Sequence, residues 1–369
     1  MVDLLRRQFV ATVPALAGGA AFASACTSDP DDSAYQADAA QIRRRGPVAG
    51  PYGLALSEEL IRYATLAPSS HNTQCWQFAL DPKAITILPD LRRRCPAVDP
   101  DDHHLYVSLG CAAENLVHAA LAHGLAAELQ SGEGRQGLEL VLTPTRASIT
   151  PLFRAIAQRQ CTRADYDGRA LGNLELALLA RAGSSDRVRV MLLTARTAMD
   201  RVRDAVVHAN TLQMADAAFL RELRSWIRFN GGEALRQGDG LYSACSGQPS
   251  MPTWLGQFAF RWLLRVSSEN DRYARQIRSS AGIAVFVGNA ANRETWVEVG
   301  RCYERFALQA TVLGIRNALV NQPVEVASVR EAFAATCGVP GERPDLVVRF
   351  GRGPTMPVSL RRPVPAVLV

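Results

Sequence analysis

Pro68-Ser69-Ser70-His71-Asn72-Thr73-Gln74-Cys75-Trp76-Gln77-Phe78 holds a helix stop, a polar run and a strand start within eleven residues. Before it, Leu56, Leu60, Ile61, Ala64 and Ala67 recur at helical spacing, with Ser57 placed as an N-cap and Glu58 and Glu59 suited to a first turn. Pro68 ends that helix. After it, Trp76, Phe78 and Leu80 alternate with Gln77 and Ala79, Asp81-Pro82-Lys83 turns the chain, and residues 84–88 return as a second strand. The polar run therefore sits at a helix-to-strand junction. A loop held at both ends there can present several fixed donors and acceptors to one ligand. A turn whose polar groups satisfy only its own backbone is the plainer alternative.

Outward from this stretch the chain repeats itself. Gly110, Glu114 and Gly124 lie on one apolar helical stretch, and Gly300, Glu304 and Gly314 lie on another 190 residues on. Leu109/Val299, Leu116/Phe306, Ala120/Ala310, Leu125/Ile315 and Leu129/Leu319 match beside them. Residues 56–67 with Pro68-Ser69-Ser70 are paralleled, 115 residues later, by residues 171–182 with Gly183-Ser184-Ser185. The second copy thus carries about 75 extra residues. Within them a helical pattern from about His208 to Trp226 precedes a glycine-punctuated loop over residues 231–252, and the spacing predicts a lid insertion at about 205–260. With strands expected at 188–193, 283–287 and 346–350, the fold class is α+β: a first repeat over 51–150 and a second over 151–369.

The 369 residues are 48% hydrophobic, enough for a large core, and the net charge of +6 comes mostly from arginines dispersed among acids. No basic stripe with interleaved aromatics is present, which argues against nucleic acid as a partner. Arg6-Arg7-Gln8-Phe9-Val10 followed by an uncharged Ala/Gly-rich stretch ending in Ala23-Ser24-Ala25 is a twin-arginine signal over residues 1–25. It predicts export by the twin-arginine machinery to the cell envelope, periplasmic or extracellular. Cys26 follows directly and is a candidate for lipid anchoring, although Ala23 departs from the usual leucine; residues 26–50 read as a linker. The other cysteines form no Cys-x-x-Cys pair. Asp101-Asp102-His103-His104 reads as a surface helix start, so no metal is expected. Gly132-Glu133-Gly134-Arg135-Gln136-Gly137 fits a dinucleotide fingerprint by letter, but a strand follows where a helix is required, so it reads as a hairpin turn.

Arg159-Gln160-Cys161-Thr162-Arg163 places two guanidiniums around small polar groups, a pattern suited to phosphate. Together with residues 68–76 it resembles the nitroreductase family of FMN-dependent enzymes, whose Pro-Ser-Ser-x-Asn-[Ser/Thr]-Gln-Pro-Trp signature is matched except for Cys75 in place of proline. Arg159, Gln160, Cys161 and Arg163 resemble its Arg-x-Ser-x-[Arg/Lys] motif, with Cys161 where serine is common; Asn321-Gln322-Pro323-Val324 resembles the loop along the isoalloxazine, and Arg361-Arg362-Pro363 the C-terminal basic pair. The resemblance spans about residues 55–365 and is strongest to the exported, fused-repeat Acg-like branch, in which one chain mimics the family's homodimer.

That resemblance implies one FMN per chain, held by Pro68, Ser69, Ser70, Asn72, Arg159, Gln160, Cys161, Arg163, Gln322, Pro323, Arg361 and Arg362. It also implies a monomer acting as a pseudo-dimer, because Gly183-Ser184-Ser185 lacks the Asn and Trp of a second site. Arg163 is the candidate cation at the flavin N1 edge, Arg159, Arg361 and Arg362 balance the phosphate, and no catalytic acid or base is needed. The expected activity is hydride transfer from NAD(P)H through flavin to a nitroaromatic or quinone-like small molecule; the alternative is a protein that only stores FMN.

Overall fold

The computed structural model describes residues 30–44, 53–130 and 137–369. The twin-arginine stretch, Cys26 and residues 131–136 of the glycine run lie outside the described residues.

Helix α1 (Pro30–Ile42) opens the described chain. A first series follows: α2 (Leu54–Thr65), β1 (Trp76–Asp81), β2 (Ala84–Pro89), α3 (His103–Ala122), β3 (Leu125–Leu129) and β4 (Leu138–Pro144). Short helix α4 (Pro151–Ile156), capped by Thr150, leads to α5 (Asn173–Ala182) and β5 (Val188–Leu193). The insertion comes next, with α6 (Arg196–Ala215), α7 (Ala217–Trp226), β6 (Ile227–Arg228), α8 (Gly231–Gln237), β7 (Leu241–Tyr242), α9 (Thr253–Leu263) and α10 (Val266–Arg278). The second series then resumes with β8 (Gly282–Gly288), α11 (Arg293–Val312), β9 (Arg316–Leu319), α12 (Gln322–Glu325), α13 (Ala327–Thr336) and β10 (Pro344–Gly351). The architecture is α+β. Each series builds a four-stranded antiparallel sheet, in the orders β1-β2-β4-β3 and β5-β8-β10-β9, which is the same order counted within each series. Strands β3 and β4 pair antiparallel, with Leu129 opposite Leu140.

The long helices α3 and α11 form the centre, and their crossing is reciprocal. A Cβ on Gly110 would stand 2.0 Å from the Val297 carbonyl oxygen, and one on Gly300 would stand 2.0 Å from that of Val107. Only glycine permits this backbone approach. Leu109, Leu116, Val299, Phe306 and the inner faces of both sheets join one buried cluster, so the two halves share a core rather than meeting at a boundary near residue 150. Trailing segments cross over as well. Beyond β4, Thr162 donates its N–H to the Asn317 carbonyl at 2.9 Å; beyond β10, Val369 donates to the Phe78 carbonyl at 3.0 Å.

Three expectations are corrected. The 26–50 linker is helical over 30–42: Tyr35 is 1% exposed, donates to the Val358 carbonyl at 2.6 Å and packs its ring on Tyr242. Its apolar positions are sparse, which hid a helix whose partner lies two hundred residues away. The segment expected at 205–260 lies within a longer stretch between β5 and β8, residues 194–281, whose first helix is part of the core: Met199, Val202 and Val206 of α6 bury the outer side of β8 at Ile283, Val285 and Val287. The single helix expected at 208–226 is two, broken where the Asp216 carboxylate accepts the Ala218 N–H at 2.7 Å and starts α7; the glycine loop contains α8, capped by Asn230.

Candidate functional site

The loop after α2 is bent by three non-glycine residues in the left-handed region, His71, Asn72 and Gln74, at φ of 49°, 54° and 54°. Such residues cost about 1–3 kcal/mol each and persist only where the surroundings hold them. Here the surroundings are the insertion and the C-terminal segment. Asn72 Nδ2 donates to the Gly240 and Leu360 carbonyls, and Gln74 Nε2 donates to the Gly238 carbonyl at 2.8 Å. Ser69 Oγ accepts the Gln74 N–H at 2.9 Å. What this bracing leaves turned outward is Pro68, Ser69, Ser70 and His71, which line a cavity of about 370 Å³.

The opposite wall comes from the second series. Arg163, Asn321 and Gln322 line the same cavity, with Tyr303 and Arg349 behind them. Gln322 is buried, and its Oε1 has no hydrogen-bond partner. Arg163 has no carboxylate partner among the described residues, unlike Arg272, which pairs with Glu269. Arg349 is held by the Thr162, Ala164 and Gln276 carbonyls. The insertion covers the remaining side with the apolar Met214, Phe219, Leu223, Phe229, Phe260 and Leu264, interspersed with polar side chains that include Asn210, Gln213, Gln248, Glu269 and Arg272. Burial, reinforced by Arg163, lowers His71 to about 4, so its ring is neutral at pH 7.

Of the twelve expected ligand residues, the structure brings Pro68, Ser69, Ser70, Arg163 and Gln322 together on this cavity. The other seven do not line it. Asn72 is spent on the bracing above and on Arg361, whose Nη1 donates to its Oδ1 at 2.9 Å. Arg361 also donates to the Thr65, Leu66 and Ala67 carbonyls, closing the C-terminal end of α2, where a cation is favoured. Arg362 donates to the Gln74 and Trp76 carbonyls. Arg159, 2% exposed, pairs with Glu304 at 3.1 Å and donates to the Leu66 carbonyl. Gln160 pairs through both amide atoms with the Met356 backbone, Cys161 lies 3.7 Å from the Tyr303 hydroxyl, and Pro323 is buried in α12.

These buried cations are nevertheless unbalanced. Arg43, on the stretch read as linker, donates to the Ala157 and Arg159 carbonyls. Burial, then repulsion from Arg159, lowers Arg43 to about 10; burial, then Arg43 and Arg159, lowers Arg361 to about 9. Glu304 is the one carboxylate ion-paired to this trio among the described residues. Sequence reasoning missed Arg43, His71 and the insertion's apolar lining. The arginine run at 43–45 was the available signal for the first, and nothing in the insertion's local pattern pointed to the last.

His103 and His104 correct the surface reading: they are 1% and 4% exposed. His103 Nε2 stands 2.9 Å from Asp345 Oδ1, and His104 Nε2 stands 3.1 Å from the Asp345 carbonyl. Ligand-type atoms of Asp99, His103 and His104, and of His71, Cys95 and Glu222, come within 4.8 Å of one another. Their carboxylates are engaged in capping: Asp99 accepts the His104 and Leu105 N–H groups, and Glu222 those of Ala97 and Val98.

A second cavity of about 350 Å³ lies across the α3–α11 crossing. Tyr106, Leu129, Ser185, Asp186, Arg187 and Arg293 line it, with Val297, Glu298 and Arg301 of α11.

No family model matches the chain. It is similar to proteins from two strains of Mycobacterium tuberculosis, each provisionally named an NAD(P)H nitroreductase and each 26% identical over 304 residues, 80% of this chain and 84% of the relative. Among solved structures, a Desulfitobacterium hafniense nitroreductase with bound FMN matches at 14% identity and a TM-score of 0.38, covering 58% of this chain and 96% of that one. The Mycobacterium smegmatis FMN-dependent nitroreductase NfnB, in complex with NADPH, matches at 16% identity and a TM-score of 0.35, covering 55% and 87%. Over four-fifths of its length, this chain is thus similar to proteins named as nitroreductases.

Proposed function

We propose that this chain is an FMN-binding oxidoreductase of the nitroreductase kind, in which two fused repeats do the work of a homodimer. The observation that carries the reading is one cavity with Ser69 and Ser70 of the first series on one wall and Arg163, Asn321 and Gln322 of the second on the other. The residues present suit a flavin. The orphaned Gln322 Oε1 asks for an N–H donor, which the pyrimidine edge of a flavin offers. The unpaired Arg163 suits the charge of a reduced isoalloxazine, and the surplus charge of Arg43, Arg159 and Arg361 over Glu304 suits a phosphate nearby.

When bound, FMN supplies two-electron hydride chemistry. The chain's own work is positional and electrostatic. Ser69 and Ser70 orient polar atoms, Arg163 stabilises negative charge, and the insertion's apolar side chains exclude water so that these interactions act at low dielectric. The neutral His71 adds no competing charge. The relatives' names support NAD(P)H as the reductant and a nitro compound as an acceptor; a nitroaromatic or quinone-like molecule is the acceptor in this reading. The same reading includes export through the twin-arginine route and a monomeric pseudo-dimer with a single flavin.

Protein purified from an expressing cell should be yellow and release about one FMN per chain on denaturation, and should oxidise NAD(P)H saturably with a nitro or quinone acceptor. No flavin after reconstitution would remove the assignment. Flavin retained at one per chain with almost no turnover on any acceptor would leave a storage protein instead.

A further inference from the structure

We propose that α9 is a membrane-docking face, and that the acceptor of the oxidoreductase proposed above is a lipophilic quinone dissolved in that membrane; the second half rests on that functional reading. Helix α9 has two apolar sides. Inward, Gly256 packs on the Phe229 ring, where a Cβ would come within 2.3 Å, and Phe260 lines the cavity roof, as does Leu264 just beyond the helix. Outward, Trp254 is 72% exposed, Phe258 74% and Leu255 38%. Trp254 and Phe258 are four residues apart and share one face. Three of the ten exposed large apolar side chains among the described residues, including both aromatics, stand on this helix, so they form a patch rather than the usual scatter.

What surrounds the patch selects its occupant. Arg221 and Arg224 on α7 and Arg265 after α9 are exposed and have no acidic partner among the described residues. Phe219, Leu220 and Leu223 of α7 pack with Leu264, which brings α7 and Arg265 to the C-terminal end of α9. Residues 194–281 carry twelve arginines against eight carboxylates. An aromatic face with unpaired cations beside its end fits the headgroup region of an anionic bilayer.

Docked in that way, the helix would set the apolar side chains of the insertion's lining beneath the lipid surface. Met214, Phe219, Leu223, Phe229, Phe260 and Leu264 suit a hydrocarbon-tailed ring better than a polar one. The net reaction balances as quinone, reduced nicotinamide and one proton giving quinol and oxidised nicotinamide.

The full chain carrying Cys26→Ser, which removes any lipid anchor, is tested for co-sedimentation with vesicles of phosphatidylethanolamine and phosphatidylglycerol. Adding Trp254→Ser and Phe258→Ser should reduce vesicle partition by about tenfold or more, since each ring buries apolar surface at the interface. Both side chains are largely exposed, so the fold should survive, and circular dichroism checks it. Equal binding by both proteins, or binding by neither, overturns the docking face. A parent that sizes as a dimer and becomes monomeric on substitution, without binding vesicles, overturns it in favour of a second copy. In the flavin-loaded protein the double substitution should lower reduction of a vesicle-embedded isoprenoid naphthoquinone about tenfold while leaving water-soluble menadione unchanged. Equal loss with both quinones overturns the acceptor. If neither quinone is reduced while the vesicle difference persists, the docking face stands and the oxidoreductase reading falls.

Discussion

The two cavities flank the α3–α11 crossing and are lined from matching positions. Val107, Ser108 and Cys111 face the first; Val297, Glu298 and Arg301, each 190 residues on, face the second. Ser70 and His71 have Ser185 and Asp186 in their places, and Leu319 has Leu129. Their volumes are nearly equal. What differs is charge and cover. The first keeps an orphaned buried amide oxygen, a half-buried unpaired arginine and a cover from the insertion. In the second, Glu298, Arg301, Arg305 and Glu114 satisfy one another in an ion-pair network, the arginines without an acidic partner among the described residues, Arg187 and Arg293, are exposed, and the elements of the insertion do not line it. Two similar hollows thus differ in whether unsatisfied groups are buried and covered.

The strongest test of that comparison is at the crossing. Gly110→Val and Gly300→Val should each cost more than about 4 kcal/mol or prevent folding, and by similar amounts, because each Cβ meets a backbone oxygen at 2.0 Å. Thermal unfolding of the two variants measures this, and tolerance of one but not the other would break the equivalence of the halves.

Next in size is the divergence of the matched glutamates. Burial raises Glu114, but His118, Arg305 and Arg301 outweigh it and bring the carboxyl to about 2, whereas burial pushes Glu304 upward against the pull of Arg159. With the folded value below the unfolded one, near 4.5, Glu114 contributes stability above pH 4.5 that is lost as pH falls toward 2, on the order of 3 kcal/mol in all. The unfolding midpoint of Glu114→Gln should therefore change less between pH 5 and pH 3 than that of the parent. An unchanged slope would mean that the network does not hold the charge.

Smaller effects separate the walls. Arg163→Ala should weaken FMN binding by about 1–3 kcal/mol and lower the flavin's reduction potential, read by titration and spectroelectrochemistry. Arg187→Ala, on the exposed rim of the second cavity, should leave both within about 0.5 kcal/mol of the parent. If Arg187→Ala matched Arg163→Ala, the second cavity would be a flavin site too.

Much of this was legible in the sequence. The glycine–glutamate–glycine spacing located both central helices because a close crossing leaves no choice of residue; alternation located β1 and β2, apolar runs located β8 and β10, which are buried along their length, and β3 and β9 were not read as strands. Pro68, Ser69, Ser70, Arg163 and Gln322, expected together from the family resemblance, line one cavity. Arg361 and Asn72 were misplaced for a physical reason: a guanidinium and an amide serve a helix end or a strained loop as readily as a ligand, and only the positions of the Thr65, Leu66, Ala67 and Gly240 carbonyls decide between them. α1 and α6 were hidden because their partners are distant in sequence.

The hydrogen bond from Val369 to Phe78 and the bridge from Leu368 to the same residue tie the first sheet to a segment synthesised much later. A nascent chain can assemble β1 to β4 early, but Arg361 cannot close α2, nor Leu368 cover β1, until translation has passed those positions. Completion of the first half thus waits on the second. A polypeptide truncated before Arg361 would leave the end of α2 and the edge of β1 bare, a ready target for proteases.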